Sequence, residues 1–246
     1  MEDMTWGRNP VLEALKAGRP LNRILLAGES RGRAREIAAR AREQGVPLQI
    51  VEQRVLDSLT HGAAHQGVVA YLSPKSYVSV EDILTQAAAQ GEQPCVLILA
   101  GWEDPRNFGA ILRSAEAAGV HGVIIPARRA VPLTGTVAKA SAGALEHLSI
   151  SRVGNLRQAV ITLKNAGLWV FGADPAASLN YWQADLKGPL ALVIGGEGKG
   201  LGPSLTKACD YLIRIPMRGK VGSLNAAVAG SILLYEVLRQ RAGKLT

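Results

Sequence analysis

The sequence predicts an α/β protein of two domains, a small one followed by a larger one built on a parallel sheet. Three features predict it. Strand-like and helix-like segments alternate along nearly the whole chain of 246 residues, the pattern of layered α/β architectures. The later strands are continuous apolar runs, as expected of strands covered on both faces. Between the two regions, Ser73-Pro-Lys-Ser-Tyr77 breaks the periodicity with its proline and serines and reads as a linker.

The elements follow in order. Residues 8–17 place Val11, Leu12 and Leu15 on one helical face. Arg23–Ala27 is a strand, Arg33–Gln44 a helix stopped by Gly45 and Pro47, Leu48–Val51 a strand, Gln53–Leu59 a short helix and Gly67–Leu72 a strand. These assign residues 1–72 to the small domain and 73–94 to a linker and connecting helix, Val80–Ala89. Residues 95–246 form the large domain. Its expected strands are Cys95–Ala100, Gly122–Pro126, Leu168–Phe171, Leu190–Ile194 and Tyr211–Ile215; its expected helices are Phe108–Ala118, Val137–Ala144, Asn155–Ala166 and Pro203–Ala208. A final helix follows Ser223, whose hydroxyl suits an N-cap. It is apolar nearly all round through Leu234, which predicts burial.

Composition narrows the function. A formal net charge of +8 and a pI near 9.8 favour acidic polymers, nucleic acid first. Arg31, Arg35 and Arg42 fall near one face of the second helix. They suit phosphate, and equally a solvated face balanced by Glu29, Glu36 and Glu43. The cysteines, Cys95 and Cys209, form no C-x-x-C pair, and His61 and His65 lack partners at metal-ligand spacing, so no metal site is expected. The opening Met1-Glu-Asp-Met4 leads into no hydrophobic run, and no later run reaches membrane-spanning length. A cytoplasmic protein without membrane association is the expectation.

Three stretches carry chemistry. The first is Asp104-Pro-Arg-Asn-Phe-Gly-Ala-Ile-Leu-Arg113. The second is Leu192-Val-Ile-Gly-Gly-Glu-Gly-Lys-Gly200. The third joins a strand end to a helix, from Ile215-Pro-Met-Arg-Gly219 through Ser223-Leu-Asn225. In open α/β sheets, ligands bind at the carboxyl ends of strands, where all three lie. The glycine run is no P-loop, because Lys199 precedes Gly200 instead of Ser or Thr. It is no dinucleotide fingerprint either, because Leu201 stands where the third glycine belongs. What remains is a loop that a flat ligand can approach closely. Asn107 can cap a helix, Ser223 and Asn225 can start one, and Met217 can pack in a core; each also fits a site.

Taken together, these stretches resemble the three motifs of the SpoU (TrmH-like) RNA ribose 2'-O-methyltransferases, in the family's order and across most of residues 95–241. Gly7-Arg-Asn-Pro-Val-Leu-Glu-Ala-Leu15 and His65-Gln-Gly-Val68 resemble the amino-terminal domain of the family's rRNA guanosine branch, itself similar to the L30e-like RNA-binding fold. The resemblance implies a SPOUT-type domain with a trefoil knot, S-adenosylmethionine as cofactor and a homodimer. It also implies an RNA substrate: a guanosine of 23S rRNA or of a large-subunit precursor. It makes Gly195, Ile215, Leu224 and Met217 cofactor-binding residues. Arg113, Asn107, Glu197, Ser223 and Asn225 become the residues of the reaction, and Lys139–Ala144, with Ser141, a segment near the substrate. The alternatives are a tRNA ribose methyltransferase and a non-catalytic RNA-binding or resistance protein on the same fold; three intact motifs favour catalysis.

Overall fold

The computed structural model describes residues 3–28, 32–73, 75–196 and 200–242. In chain order the elements are β1 (Asp3–Trp6), α1 (Arg8–Lys16), β2 (Leu21–Ala27), α2 (Arg33–Glu43), β3 (Leu48–Val51), α3 (Gln53–Leu59), β4 (Val68–Leu72), α4 (Val80–Ala89), β5 (Cys95–Ala100), α5 (Pro105–Ala117), β6 (Gly122–Pro126) and α6 (Gly135–Ala140). After a 3-10 turn, Ala144–Glu146, come β7 (Ser149–Val153), α7 (Leu156–Asn165), β8 (Trp169–Ala173) and β9 (Leu179–Asn180). A second 3-10 turn, Tyr181–Gln183, precedes β10 (Leu190–Gly195), α8 (Gly202–Thr206), β11 (Tyr211–Arg214) and α9 (Ala226–Arg241).

The chain divides into two compact units. One comprises Met1–Lys75 together with Pro132–His147, the other Ser76–Val131 and Leu148–Thr246. The first holds a four-stranded sheet in the order β1-β4-β2-β3. Only the β2–β3 pairing is parallel. Helix α1 buries Val11, Leu12 and Leu15 as its periodicity predicts, and α2 buries Ala34, Ile37, Ala38 and Ala41. On α2, Arg35 and Arg42 face solvent, while Arg40 meets Glu36 at 3.4 Å; Arg31 and Glu29 lie outside the described residues. His65 accepts from the Gly67 amide at Nδ1 (3.0 Å) and donates from Nε2 to Asp57 (2.9 Å), a structural role. Strand β1 has no apolar run to announce it; it exists because its backbone pairs with β4 from Asp3↔Leu72 to Trp6↔Val69.

The segment Pro132–His147 packs on the amino-terminal residues of this first unit, which alternation along the sequence could not show. Gly135 lies so close to β1 that a Cβ there would sit 1.3 Å from the Met4 carbonyl oxygen. Arg19 and Glu146 form a buried ion pair at 2.6 Å, their side chains 6% and 2% exposed. Lys139 donates to the Ala64 carbonyl at 3.1 Å and stands over the Trp6 ring. Ser141 is buried and spends its hydroxyl locally, donating to the Ala138 carbonyl and accepting from the Leu145 amide.

The second unit holds a seven-stranded sheet in the order β7-β6-β5-β10-β8-β11-β9, parallel at every pairing. β5 is buried at all six positions and β10 at five of six, as the apolar runs require. The last strands are inserted between earlier ones: β10 between β5 and β8, β11 between β8 and β9. This interleaved α/β arrangement is that of the SPOUT class. β7 was not expected from the sequence because Ser149-Ile-Ser-Arg-Val153 has too few apolar residues; it is recruited by its ladder with β6.

Two helix starts differ from expectation. Helix α5 begins at Pro105, and Asp104 caps it by accepting from the Arg106 and Asn107 amides at 2.9 and 2.8 Å. Asn107 is therefore inside the first turn instead of at the cap. Helix α9 begins at Ala226, capped by Asn225 and not by Ser223, because the Asn225 amide oxygen accepts from Ala227 and Val228 at 2.9 and 3.2 Å. Nor is α9 wholly buried. It packs on α5 through Gly230, whose added Cβ would fall 2.7 Å from Ile111, and through Ser231, which donates to Ser114 at 2.7 Å. Val228 and Tyr235, seven residues apart and hence on one face, remain about half exposed. A single chain covers only one side of this helix.

Candidate active site

The site is a cleft of about 650 Å³ in the second unit, at the carboxyl ends of β8, β10 and β11 and the start of α9. Its position follows from the parallel sheet: every strand delivers its exit loop to the same edge. Gly195, Ile215, Met217, Ser223, Leu224 and Asn225 all line it. Residues from the second and third motifs, twenty to thirty positions apart in sequence, thus share one wall.

The glycines are explained by backbone crowding. A Cβ on Gly195 would lie 2.3 Å from the Gly200 carbonyl carbon, and one on Gly196 would lie 2.1 Å from the Gly101 carbonyl oxygen. Main chain on both sides leaves no room for a side chain there, so Gly195 and Gly196 offer a ligand only peptide groups. Beside it, Ile215, Met217 and Leu224 supply apolar surface. Met217, half-buried, belongs to the wall of the cleft.

The first motif joins through a hydrogen bond between side chains. Asn225 uses its amide oxygen to cap α9, which turns its Nδ2 outward to donate to Asn107 Oδ1 at 3.1 Å. That bond brings together the amino-terminal ends of α5 and α9, helices of 13 and 16 residues. Both helix dipoles present their positive ends there, which favours an anion or a developing oxyanion.

Arg113 does not line the cleft. It is the ninth residue of α5, exposed, on the stripe it shares with Arg106, Ala110 and Ala117. Because the helix starts at Pro105, Arg113 lies deeper along it than a start after Asn107 would place it. Glu197 lies outside the described residues. Sequence reasoning missed Asp174, which lines the cleft at the end of β8. The strand was expected to stop at Phe171 but runs to Ala173, and only that extension carries Asp174 to the ligand edge.

The cleft suits S-adenosylmethionine. Its volume is in the range of nucleoside-sized ligands, its apolar wall suits a flat base, and the Asp174 carboxylate suits a ligand that carries a sulfonium and an ammonium. Gly195, Ile215, Leu224 and Met217 would hold the cofactor, which supplies an electrophilic methyl group when bound.

The chain is similar to known proteins over nearly its whole length. The SpoU rRNA Methylase family matches residues 94–235, and the family of RNA 2'-O ribose methyltransferase substrate binding domains matches residues 4–78. A Bacillus subtilis (strain 168) protein, YacO, provisionally named as a TrmH family tRNA/rRNA methyltransferase, is 46% identical over 240 residues, which cover 97% of this chain and 96% of that one. Among solved structures, the SpoU methyltransferase AviRb from Streptomyces viridochromogenes in complex with the cofactor AdoMet superposes with a TM-score of 0.83 at 28% identity, over 98% of this chain and 91% of its own. The AdoMet-bound rRNA methyltransferase from Sinorhizobium meliloti gives 0.81 at 27% identity, over 97% and 87%.

Proposed function

Because the chain belongs to the SpoU family of S-adenosylmethionine-dependent RNA methyltransferases, we propose that it methylates a ribose 2'-hydroxyl, on a guanosine of the large-subunit rRNA or its precursor. The observation that carries the reading is the cleft itself, where the second and third motifs share a wall and the Asn107–Asn225 bond attaches the first. The match of residues 4–78 to a 2'-O ribose substrate-binding domain supports the ribose as acceptor. The rRNA assignment is supported by the name of the Sinorhizobium relative. A tRNA substrate is the second reading, favoured by the double designation of the Bacillus relative.

The reaction is an in-line displacement. With S-adenosylmethionine bound, its electrophilic methyl would pass to the ribose 2'-oxygen, the sulfur keeping the carbon–sulfur electron pair and the hydroxyl proton passing to solvent or a nearby base. The chain's task is to hold acceptor and methyl near contact distance, which removes much of the entropic barrier. Asn107 and the paired helix starts stabilise the oxygen as it gains charge. Ser223 orients the acceptor from the lip of the cleft.

Arg113 acts from a second copy of the chain in a homodimer. This reading accounts for its exposure on α5 and for Val228 and Tyr235 on the uncovered face of the neighbouring α9. In that setting the guanidinium grips an RNA phosphate or the forming oxyanion. Arg113→Ala should keep cofactor affinity and lose most methyl transfer. Arg113→Lys should fail at every pH if the planar fork matters; recovery toward a pH of about 10 would mark it as the base instead. Single-turnover transfer to 23S rRNA and tRNA, with mapping of 2'-O-methyl sites in RNA from cells with and without the protein, tests the substrate. Methylation confined to tRNA would overturn the rRNA assignment, and wild-type rates from Arg113→Ala would remove that residue from the site.

A further inference from the structure

The exit loop of β5 braces the cofactor cleft from behind, and its central residue is a tryptophan that neither the motifs nor the mechanism uses. Strands β5 and β10 run in register to the pair Ala100↔Gly195. At the end of this ladder the contact is extended by two further bonds. The Gly196 amide donates to the Ala100 carbonyl at 2.8 Å, and the Trp102 indole Nε1–H donates to the Ile194 carbonyl at 3.1 Å. Gly196 also lies against Gly101 so closely that no Cβ fits. Three consecutive residues, Ala100, Gly101 and Trp102, therefore back the turn made by Ile194, Gly195 and Gly196, all three of which line the cleft.

We propose that Trp102 is a positioning residue for cofactor binding: its indole, locked onto the Ile194 carbonyl, fixes how far the Gly195-Gly196 turn stands into the cleft. The proposal rests on that cleft being the S-adenosylmethionine site. Trp102 is 3% exposed, and its own carbonyl accepts from the Val131 amide at 3.1 Å, so both its ring and its main chain are tied down. A residue needed only to fill volume would be an aliphatic or phenyl group, with no polar atom to satisfy. Here the one polar atom of the ring is spent on the main chain of a cleft-lining residue. The glycine turn has no side chains to hold it, so its height depends on what stands behind it. Holding a binding loop in its bound geometry before the ligand arrives improves affinity by lowering the cost of ordering it.

The test is Trp102→Phe in the full-length protein, which keeps an aromatic ring and removes the N–H. Loss of one neutral hydrogen bond corresponds to about a fivefold change in an equilibrium constant. Calorimetry should show S-adenosylmethionine and S-adenosylhomocysteine both weakened by about that factor, because the two differ only in the transferred methyl group. In turnover, KM for the cofactor should rise while KM for RNA stays put. Wild-type cofactor affinity in Trp102→Phe, with only the melting temperature lowered, would overturn the proposal and leave Trp102 as packing. If the variant does not fold, the indole N–H resonances of the wild-type protein decide, assigned with Trp6→Phe, Trp169→Phe and Trp182→Phe. The Trp102 signal must move on titration with S-adenosylhomocysteine, and an unmoved signal overturns the idea. Failure of the wild-type protein to bind either ligand would refute the cleft assignment itself, an outcome separable from a defect confined to the variant.

Discussion

Asn225 ties helix stability to site assembly, and replacing it separates the two. Its amide oxygen accepts from the Ala227 and Val228 amides and its Nδ2 donates to Asn107. Asn225→Ala removes the cap, at about 1 kcal/mol, and the exposed bond to Asn107, at roughly 0.5–1 kcal/mol. The expected loss is about 2 kcal/mol, a shift of about 4–8 °C in melting temperature for a chain of this size. Asn225→Asp keeps an acceptor for the two amides and places a carboxylate at the positive end of α9, which offsets part of the loss; it cannot donate to Asn107. The aspartate variant should therefore melt within a degree or two of wild type while losing much of the methyl transfer, because Asn107 is no longer held at the site. Thermal unfolding and single-turnover transfer on the three proteins measure both quantities. Equal melting temperatures for wild type and Asn225→Ala would refute the capping argument. Full activity in Asn225→Asp would show that the Asn107 contact does not organise the site.

Two further predictions concern stability. Arg19→Met removes the ion-pair partner at 2.6 Å from the buried Glu146 carboxylate and leaves it only the weaker attraction of Lys75; it should cost about 3 kcal/mol in urea unfolding, because most of the desolvation of the buried charge is no longer offset, and an effect under about 1 kcal/mol would contradict the burial. Burial holds the His121 pKa below its usual value, and its Nδ1 accepts from the Cys95 amide at 3.1 Å. The unfolded chain then takes up a proton on this residue more readily than the folded one. His121 thus contributes stability at neutral pH that is lost as pH falls below about 6.5, the ordinary histidine value, toward the lower folded pKa. His121→Gln should flatten this part of the stability–pH curve, and an unchanged slope would assign it to other groups.

Much of the fold was legible in the chain itself because it depends on local chemistry. Apolar runs at Cys95–Ala100 and Leu190–Ile194 marked strands covered on both faces, and α3 and α4 fall on the residues their sequence signals named. Gly195, Ile215, Met217 and Leu224, proposed to hold the cofactor, were singled out through family resemblance, and the structure brings them to one cleft. What tertiary structure alone decided were matters of pairing and approach. β1 and β7 exist through the ladders they join, not through their own composition. Pro132–His147 joins the amino-terminal residues because Gly135 admits the Met4 carbonyl and Glu146 meets Arg19, contacts between residues more than a hundred positions apart. Ser223 and Asn225 both had the chemistry of a cap, as did Asp104 and Asn107; the backbone path chose Asn225 and Asp104, and so left Asn107 facing Asn225. Sequence sets which groups are available to a site. Distance between residues remote in the chain decides which of them meet, since hydrogen bonds and steric contact act over a few ångströms and depend on the folded path.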